Sequence, residues 1–154
     1  TYDDRIMREM VMTEIDVTNI RSILKILRDR IPAEEAEELL IPGGTLKVES
    51  LVRLVKAGTI RDMMKQLAGT PYEFLGQVSE ETIKQEKISV LEKELERFLV
   101  RKGVRGFLGD PLSIALAIGY VWAKFTEVTN IRIIARLKMA DVPEKTIREE
   151  LVHV

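Results

Sequence analysis

The sequence contains no cysteine and only one histidine in 154 residues. Without cysteine the chain can form neither a disulfide framework nor a thiolate metal site. The single histidine, His153, is the penultimate residue, so no histidine cluster, Ser-His-Asp set or metal-ligand spacing can be assembled. This inventory argues against nucleophilic and metal-dependent enzymes and predicts no cofactor.

An excess of charge is also missing, because 24 Lys and Arg residues face 25 Asp and Glu residues. Such a chain has no basic field to attract nucleic acid or an anionic membrane. Its longest uncharged run, residues 111–123, falls well short of the roughly 18 residues that a membrane-spanning helix needs. We therefore expect no nucleic-acid partner and no direct membrane span, and we interpret this run as a helix buried by protein.

No segment shows the sustained alternation of apolar and polar residues that is typical of strands, whereas apolar residues recur at helical spacing throughout. The predicted class is therefore all-α, with long helices that end at prolines. The predicted helices are Tyr2 to Arg30, Ala33 to Leu40, Leu46 to Ala57, a Thr59-capped helix to Leu67, Ser79 to Lys102, Asp110 (N-cap, before Pro111) to Ala140, and Pro143 to Leu151. Gly-rich or Pro-rich stretches at residues 42–44, 69–71 and 103–109 are expected to break the helices.

One stretch occurs twice. The segment at residues 16–32, DVTNIRSILKILRDRIP, has a close copy 111 residues later. The copy, at residues 127–143, reads EVTNIRIIARLKMADVP and aligns without a gap. The only two asparagines of the sequence, Asn19 and Asn130, occupy the same position in the two copies. We infer an internal duplication of helical-bundle units, in which residues 1–44 end one unit and residues 45–154 form the next.

The duplicated motif combines an acid and an amide with an apolar stripe. On a helix, Asp16 shares a face with Ile20 and Ile23, and Asn19 lies beside it. Because burying such groups is costly unless they are hydrogen-bonded, we expect each to bind a backbone group or a basic side chain of a packed neighbour. The alternative is a catalytic or ion-coupling carboxylate at Asp16 or Glu127. A pair made by duplication favours one architectural role in both copies.

The arginine of the motif follows five residues after the acid and is expected to point away from it, towards the surface. The predicted structural repeat motif therefore comprises Asp16, Asn19, Arg21, Glu127, Asn130 and Arg132.

These same residues carry a family resemblance. EVTNIRIIARLK and VPEKTIREELV, after GDPLSIALAIGYVWAKFTE, resemble the C-terminal region of the C subunit of archaeal A-type and bacterial V-type rotary ATPases. That family is related to the d subunit of the vacuolar enzyme. DVTNIRSILKILRDRIPAEEAEELLIPGGTL is similar to the end of the family's preceding repeat, and GTPYEFLG to the segment between the repeats. The resemblance covers almost the whole chain.

Members of that family are longer and carry three similar helical units arranged as a funnel. The resemblance implies that this chain holds roughly the last two units, and its start at Thr1 rather than Met also suggests a fragment or a processed chain. It further implies a non-catalytic central-rotor subunit at the cytoplasmic face of the membrane. The implied partners are the central-stalk subunits and the membrane rotor ring of proteolipids, and the implied role is to couple ion transport to ATP synthesis or hydrolysis.

Two other hypotheses stay open on the sequence alone. The stretch GVRGFLG, flanked by Arg101 and Lys102, could hold an anion in an enzyme, although a Gly-x-x-Gly-x-x-Gly pattern without a preceding strand is typical of a loop between helices. The chain could also be a helical scaffold or adaptor unrelated to ATPases. Tyr120 and Trp122 are two residues apart and cannot share one narrow stripe, so one of them could be exposed at an interface, although core packing is favoured.

Overall fold

The structure is a computed structural model that describes residues 2–79, 81, 83, 87–107 and 114–152. All regular secondary structure in these residues is helical, which confirms the predicted all-α class. The elements are α1 (Tyr2–Asp29), α2 (Ala33–Glu37), α3 (Val48–Val55), α4 (Ile60–Gln66), a 3₁₀ helix (Glu73–Gln77), α5 (Ile88–Phe107), α6 (Ile114–Met139) and α7 (Glu144–Glu150).

The chain divides into two compact units, which we call the central unit (Glu9–Leu95) and the terminal unit (Thr1–Arg8 with Glu96–Val154). The predicted repeat boundary between residues 44 and 45 concerns the duplication of the sequence and stays a prediction. Among the described residues, no helix combines the length and the apolar character that crossing a membrane requires.

The core of the central unit is built from one face of α1 and from the short elements that follow it. α2 packs beside α3, α3 beside α4, and α4 beside the 3₁₀ helix. The predicted cap of α4 is confirmed, because the Thr59 hydroxyl accepts a hydrogen bond from the Asp62 amide at 3.1 Å. Fully buried apolar side chains come from every part of this layer: Val17, Ile20, Ile23, Leu24, Leu51, Met63, Leu67, Tyr72, Leu75 and Leu91.

In the terminal unit, α6 packs beside α7. Two apolar residues near the end of the chain are buried in this unit: Ile147 on α7 and Val152 just after it. Trp122 is half-buried and meets Phe125 edge-on, with 6.2 Å between the ring centroids. Tyr120 is exposed, so the two neighbouring aromatic residues do lie on different sides of the helix.

The largest difference from the predicted helices concerns α5. A helical turn does begin at Ser79, whose carbonyl accepts from the Ile83 amide at 3.2 Å. However, Lys87 lies outside any helix, and α5 runs from Ile88 through Gly103 to Phe107. The prediction of one helix from Ser79 to Lys102, followed by a break at Gly103, is therefore wrong at both points.

Gly103 is tolerated inside α5 because a glycine in a helix costs only about 1 kcal/mol relative to alanine. Its missing side chain also leaves room for a ring of α6, since a Cβ placed at Gly103 would lie 3.4 Å from Cγ of Trp122. Three further predictions for this stretch lie outside the described residues: the break at Leu108–Gly109, the Asp110 cap and the helix start at Pro111. His153 also lies outside them.

Candidate functional site: the duplicated acid and amide motif

Each copy of the motif lies on a helix that ends in the same way. In the first copy Arg30 adopts the left-handed conformation (φ 54°), and the Ile31 amide donates to the Ile26 carbonyl at 3.0 Å. This pattern is the Schellman motif, which satisfies carbonyl groups at a helix C-terminus. Pro32 follows and prevents continuation of the helix. The chain therefore turns back along α1 and brings residues 41–46 towards the motif.

Asn19 fastens that returning chain to α1. Its Nδ2 donates to the Ile41 carbonyl at 2.8 Å, and its Oδ1 accepts from the Ile41 amide at 2.8 Å. Both halves of the side-chain amide are thus paired with both polar groups of one residue. Since Asn19 is only 1% exposed, these two bonds provide the pairing that a buried amide needs.

Asp16 lies one helical turn away and is fully buried. Its carboxylate accepts from the Thr45 amide at 3.0 Å, the Leu46 amide at 3.1 Å and the Tyr72 hydroxyl at 2.9 Å. The Thr45 hydroxyl also donates to it. Four donors therefore converge on a single carboxylate, and hydrogen bonds to a charged group are each worth about 1.5–3 kcal/mol.

The approach of the turn to Asp16 depends on Gly44. A Cβ atom at this position would overlap the Asp16 carboxylate, so any other residue would push the turn away from α1. This close approach explains why the turn that was predicted at Pro42-Gly43-Gly44 contains a second glycine immediately before Thr45.

Tyr72, which lies 56 residues after Asp16 in the sequence, completes the cluster. Burial raises the pKa of its hydroxyl, and the neighbouring Asp16 carboxylate raises it further through their hydrogen bond and their charges. Tyr72 therefore stays protonated at neutral pH and acts as a donor. We call the set of Asp16, Gly44, Thr45, Leu46 and Tyr72 the acid cluster.

Arg21 differs from its predicted surface position. It is half-buried, its Nη2 donates to the Glu92 carbonyl of α5 at 3.4 Å, and its Nε is buried without a partner among the described residues. Lys25 forms a second link to the same residue, at 3.4 Å from the Glu92 carboxylate.

The second copy reproduces the amide half of the motif. Asn130 Nδ2 donates to the Val152 carbonyl at 2.8 Å, and its Oδ1 accepts from the Val152 amide at 2.9 Å. In both copies these bonds join residues 22 positions apart. The helix end is also repeated, because Asp141 has φ 51° and the Val142 amide donates to the Leu137 carbonyl at 3.0 Å.

The acid half is not reproduced. The Glu127 side chain is 53% exposed and pairs at 2.6 Å with Lys124 on its own helix. That hydrogen bond raises the pKa of Lys124. The expectation that each acid binds a packed neighbour is therefore wrong for Glu127, because its partner lies on the same helix. Arg132 is exposed, as expected, and with Arg136 and Glu150 it lines a groove of about 390 Å³.

The acid cluster is arranged as a clamp rather than as a reaction centre. Asp16 is sealed from solvent, and its bonding positions are taken by groups of the chain itself, so a substrate would have to displace them. Within the described residues, no group of three or more His, Cys, Asp or Glu side chains could hold a metal ion. Sequence reasoning missed Thr45 and Tyr72. The hydroxyl residue directly after Gly-Gly was a usable signal for Thr45, whereas nothing in the sequence marked Tyr72.

Comparison with known proteins adds a family context. The family model described as ATP synthase (C/AC39) subunit matches residues 1–150. The chain is 34% identical over 154 residues to the C subunit of the A-type ATP synthase of Methanocaldococcus jannaschii, covering 99% of this chain and 39% of that protein. The proteins of the same name from Pyrococcus furiosus (31% over 144 residues) and Thermococcus onnurineus (32% over 148 residues) match 94% and 96% of this chain, and 39% of each relative.

The chain thus spans about 39% of the length of these curated relatives. A search of solved structures found no significant match.

Proposed function

Because the chain belongs to the ATP synthase (C/AC39) subunit family, we propose that it acts as a non-catalytic C-type subunit of an A-type ATP synthase. In this role it links the central stalk to the membrane rotor ring and so couples ion transport to ATP synthesis or hydrolysis. Its partners are central-stalk subunits and the proteolipid ring, and its place is peripheral, at the cytoplasmic face of the membrane. The observation that carries the proposal is the family match over residues 1–150, together with relatives that are named as the C subunit of A-type ATP synthases.

The chemistry of the duplicated motif supports the non-catalytic part of the proposal. The buried acid has its donors within the chain, and the exposed acid is paired with a lysine of its own helix. Neither arrangement resembles a general acid or base placed next to an open substrate position.

The architecture suits a part that transmits force. α1 has 28 residues and α6 has 26, which at 1.5 Å per residue gives rods of about 40 Å each. In the C-terminal half of each rod, two hydrogen bonds from an asparagine hold the returning chain. Such fastening limits sliding of the following segment along the helix, and a coupling element needs this stiffness.

The test is capture of the purified 154-residue chain by central-stalk subunits and, separately, by detergent-solubilised rotor ring from the same source. We expect saturable capture by at least one of them, and no capture of an unrelated helical protein of similar size and net charge. The fold of the chain is checked by circular dichroism in the same buffer. The full-length gene product is measured in parallel.

Each outcome has a defined meaning. Capture of the full-length product alone would keep the coupling role and place the binding surface outside these 154 residues. Failure of both folded proteins to bind either partner would contradict the proposal and favour the helical scaffold. Saturable binding of ATP by the chain itself would contradict its non-catalytic part.

A further inference from the structure

Each copy of the duplicated motif carries two cations that lie one helical turn apart. They are Arg21 and Lys25 in the first copy, and Arg132 and Arg136 stand 111 positions later in the second. Residues at positions i and i+4 lie on the same face of a helix. The two cations of each copy can therefore act on a single ligand.

In the first copy both cations bind one acidic residue of another helix. Nη2 of Arg21 donates to the backbone carbonyl of Glu92 at 3.4 Å, and Nζ of Lys25 lies 3.4 Å from the Glu92 carboxylate. Glu92 belongs to α5 and comes 71 residues after Arg21 in the sequence. The first copy thus holds a glutamate of a neighbouring helix at two points, its main chain and its side chain.

The equivalent cations of the second copy have no acceptor within the part of the chain that the structure describes. Arg132 and Arg136 are both exposed, and neither makes a hydrogen bond or an ion pair with another described residue. By contrast, Lys124 and Arg148 in the same unit are paired with acids of their own helices. The donors of the two motif arginines are therefore available to a ligand.

These two arginines line the groove of about 390 Å³ in the terminal unit, together with Thr129, Ile133, Leu137 and Glu150. Two cations against one acid leave the groove with a net positive charge, so it selects an anionic group. A guanidinium matches the planar geometry of a carboxylate or a phosphate. The first copy favours the carboxylate, because the equivalent pair of cations holds one there.

We propose that Arg132 and Arg136 form a binding site for the carboxylate of an aspartate or glutamate on a neighbouring helix. Arg136 takes the place of Lys25 and binds the carboxylate, with a guanidinium that can donate to both oxygens. Arg132 takes the place of Arg21 and donates to the backbone carbonyl of the same residue. This site goes beyond the proposed function, since it rests on the comparison of the two copies and on no partner of the ATP synthase.

The carboxylate can come from two sources, another part of a longer gene product or a different polypeptide. Both sources present the same chemical group to the two arginines. The test therefore identifies the coupled acid as well as its presence.

The test uses Arg136→Lys in the full-length gene product, because this substitution gives the second copy the lysine of the first. A water-soluble carbodiimide then couples the introduced amine to any carboxylate that it contacts. The purified protein and membranes from the source organism are treated in parallel, and the coupled peptides are identified by mass spectrometry. Lys25 and Glu92 provide a positive control in the same molecule. Lys138, an exposed lysine of α6, reports non-specific coupling.

We expect the lysine introduced at position 136 to be coupled to one aspartate or glutamate other than Glu150. The yield should be similar to that of Lys25 with Glu92, whereas Lys138 should give no such product. Coupling in the purified protein supports the site and assigns the acid to the same polypeptide. Coupling in membranes alone supports the site and assigns the acid to a different polypeptide.

A second measurement needs no substitution, so it remains informative if the variant does not fold. Phenylglyoxal modifies accessible arginine side chains, and mass spectrometry gives the rate at each position. In the 154-residue chain, Arg132 and Arg136 should react as fast as Arg30, which is also exposed. In the sample that gives the coupled product, both should react about tenfold more slowly, the factor for a site that is about nine-tenths occupied. Arg30 should keep its rate.

The proposal would be overturned if the introduced lysine were coupled only to Glu150, or to nothing, while the product of Lys25 and Glu92 formed. Equal phenylglyoxal rates at Arg132 and Arg136 in all three samples would also overturn it. Protection of the two arginines without any coupled carboxylate would do the same, because the ligand would then be another anion, such as the phosphate of a lipid.

Discussion

The two copies of the duplicated motif are alike at the asparagine and different at the acid. Asn19 and Asn130 make the same pair of bonds, to Ile41 and Val152. A backbone group is offered by any residue, so the amide clamp survives the change of partner from isoleucine to valine. It needs only a helix end that returns the chain at the right distance.

The surroundings of each acid depend on more residues than the asparagine bonds do. Asp16 requires a glycine, a threonine and a tyrosine that lie up to 56 residues further along the chain. Glu127 has no such set near it in the described residues and pairs with Lys124 instead. A repeated sequence motif therefore guarantees a repeated helix end, but the environment of its acid is decided by the segment that covers it.

The largest expected effect comes from removing each acid. Asp16→Ala leaves two backbone amides and a tyrosine hydroxyl without their acceptor in a buried site, and we expect a loss of about 3 kcal/mol or more in the free energy of unfolding. Glu127→Ala removes only an exposed pair on one helix, and we expect no loss beyond that of an ordinary surface substitution. Urea denaturation followed by circular dichroism measures both. Equal losses in the two variants would break the comparison.

The second effect tests the close approach of the turn to α1. Gly44→Ala places a methyl group into the Asp16 carboxylate, and we expect destabilisation of about 2 kcal/mol, as for other overpacked sites. Gly76→Ala is the matched control, because a Cβ there meets nothing within 4 Å and Gly76, like Gly44, has no positive φ. The same urea measurement applies. A loss at Gly44 no larger than at Gly76 would show that the acid cluster is not tightly closed.

The third effect concerns the donor from Tyr72 and depends on pH. Tyr72→Phe should cost about 1 kcal/mol at neutral pH. Because burial and Asp16 raise the pKa of Tyr72 in the folded state, its contribution is complete below the unfolded value of about 10 and is lost as the pH rises above it.

The difference in unfolding free energy between wild type and Tyr72→Phe should therefore shrink between about pH 9 and pH 11. Denaturation curves at several pH values check this, and the variant corrects for lysines that titrate in the same range. A difference that stays constant or grows with pH would contradict the proposed donor role of Tyr72.

The smallest expected change in stability comes from the two helix ends, and it should be the same in both copies. Arg30 and Asp141 hold the left-handed conformation at the two helix ends, which costs a residue with a side chain about 1–2 kcal/mol. Part of the gain on replacement is offset by the larger backbone entropy of glycine in the unfolded chain. Arg30→Gly and Asp141→Gly should therefore each raise the melting temperature slightly, corresponding to about 0.5 kcal/mol. Stabilisation in one copy only would show that the two helix ends are not equivalent.

The sequence predicted features whose cause is local. α1 ends before Pro32 and α6 before Pro143, because a proline cannot continue a helix. The Thr59 cap was visible because it acts on an amide three residues away. The duplication also pointed to Asn19 and Asn130 before their partners were known.

What the sequence could not predict depends on distant contacts. Gly103 resembles a helix break in the sequence because its contact with Trp122 is not encoded nearby. The donors to Asp16 lie 29, 30 and 56 residues from it, and helical periodicity does not report contacts at such separations. The exposure of Glu127 could not be predicted from the sequence either, because the motif around Glu127 is nearly the same as the motif around Asp16.

The most direct test of the central claim, a shared amide clamp with an unshared acid cluster, uses the fact that Asn19 and Asn130 are the only asparagines in the sequence. Selective ¹⁵N labelling of asparagine gives two side-chain amide groups in an NMR spectrum, and their hydrogen exchange can be followed separately. We predict that both exchange more slowly than free asparagine, Asn19 most slowly, and that Asp16→Ala accelerates Asn19 while Glu127→Ala leaves Asn130 unchanged. The account would be contradicted if the Asn130 side-chain amide exchanged as fast as that of free asparagine. It would also be contradicted if the two amides responded equally to removal of their acids.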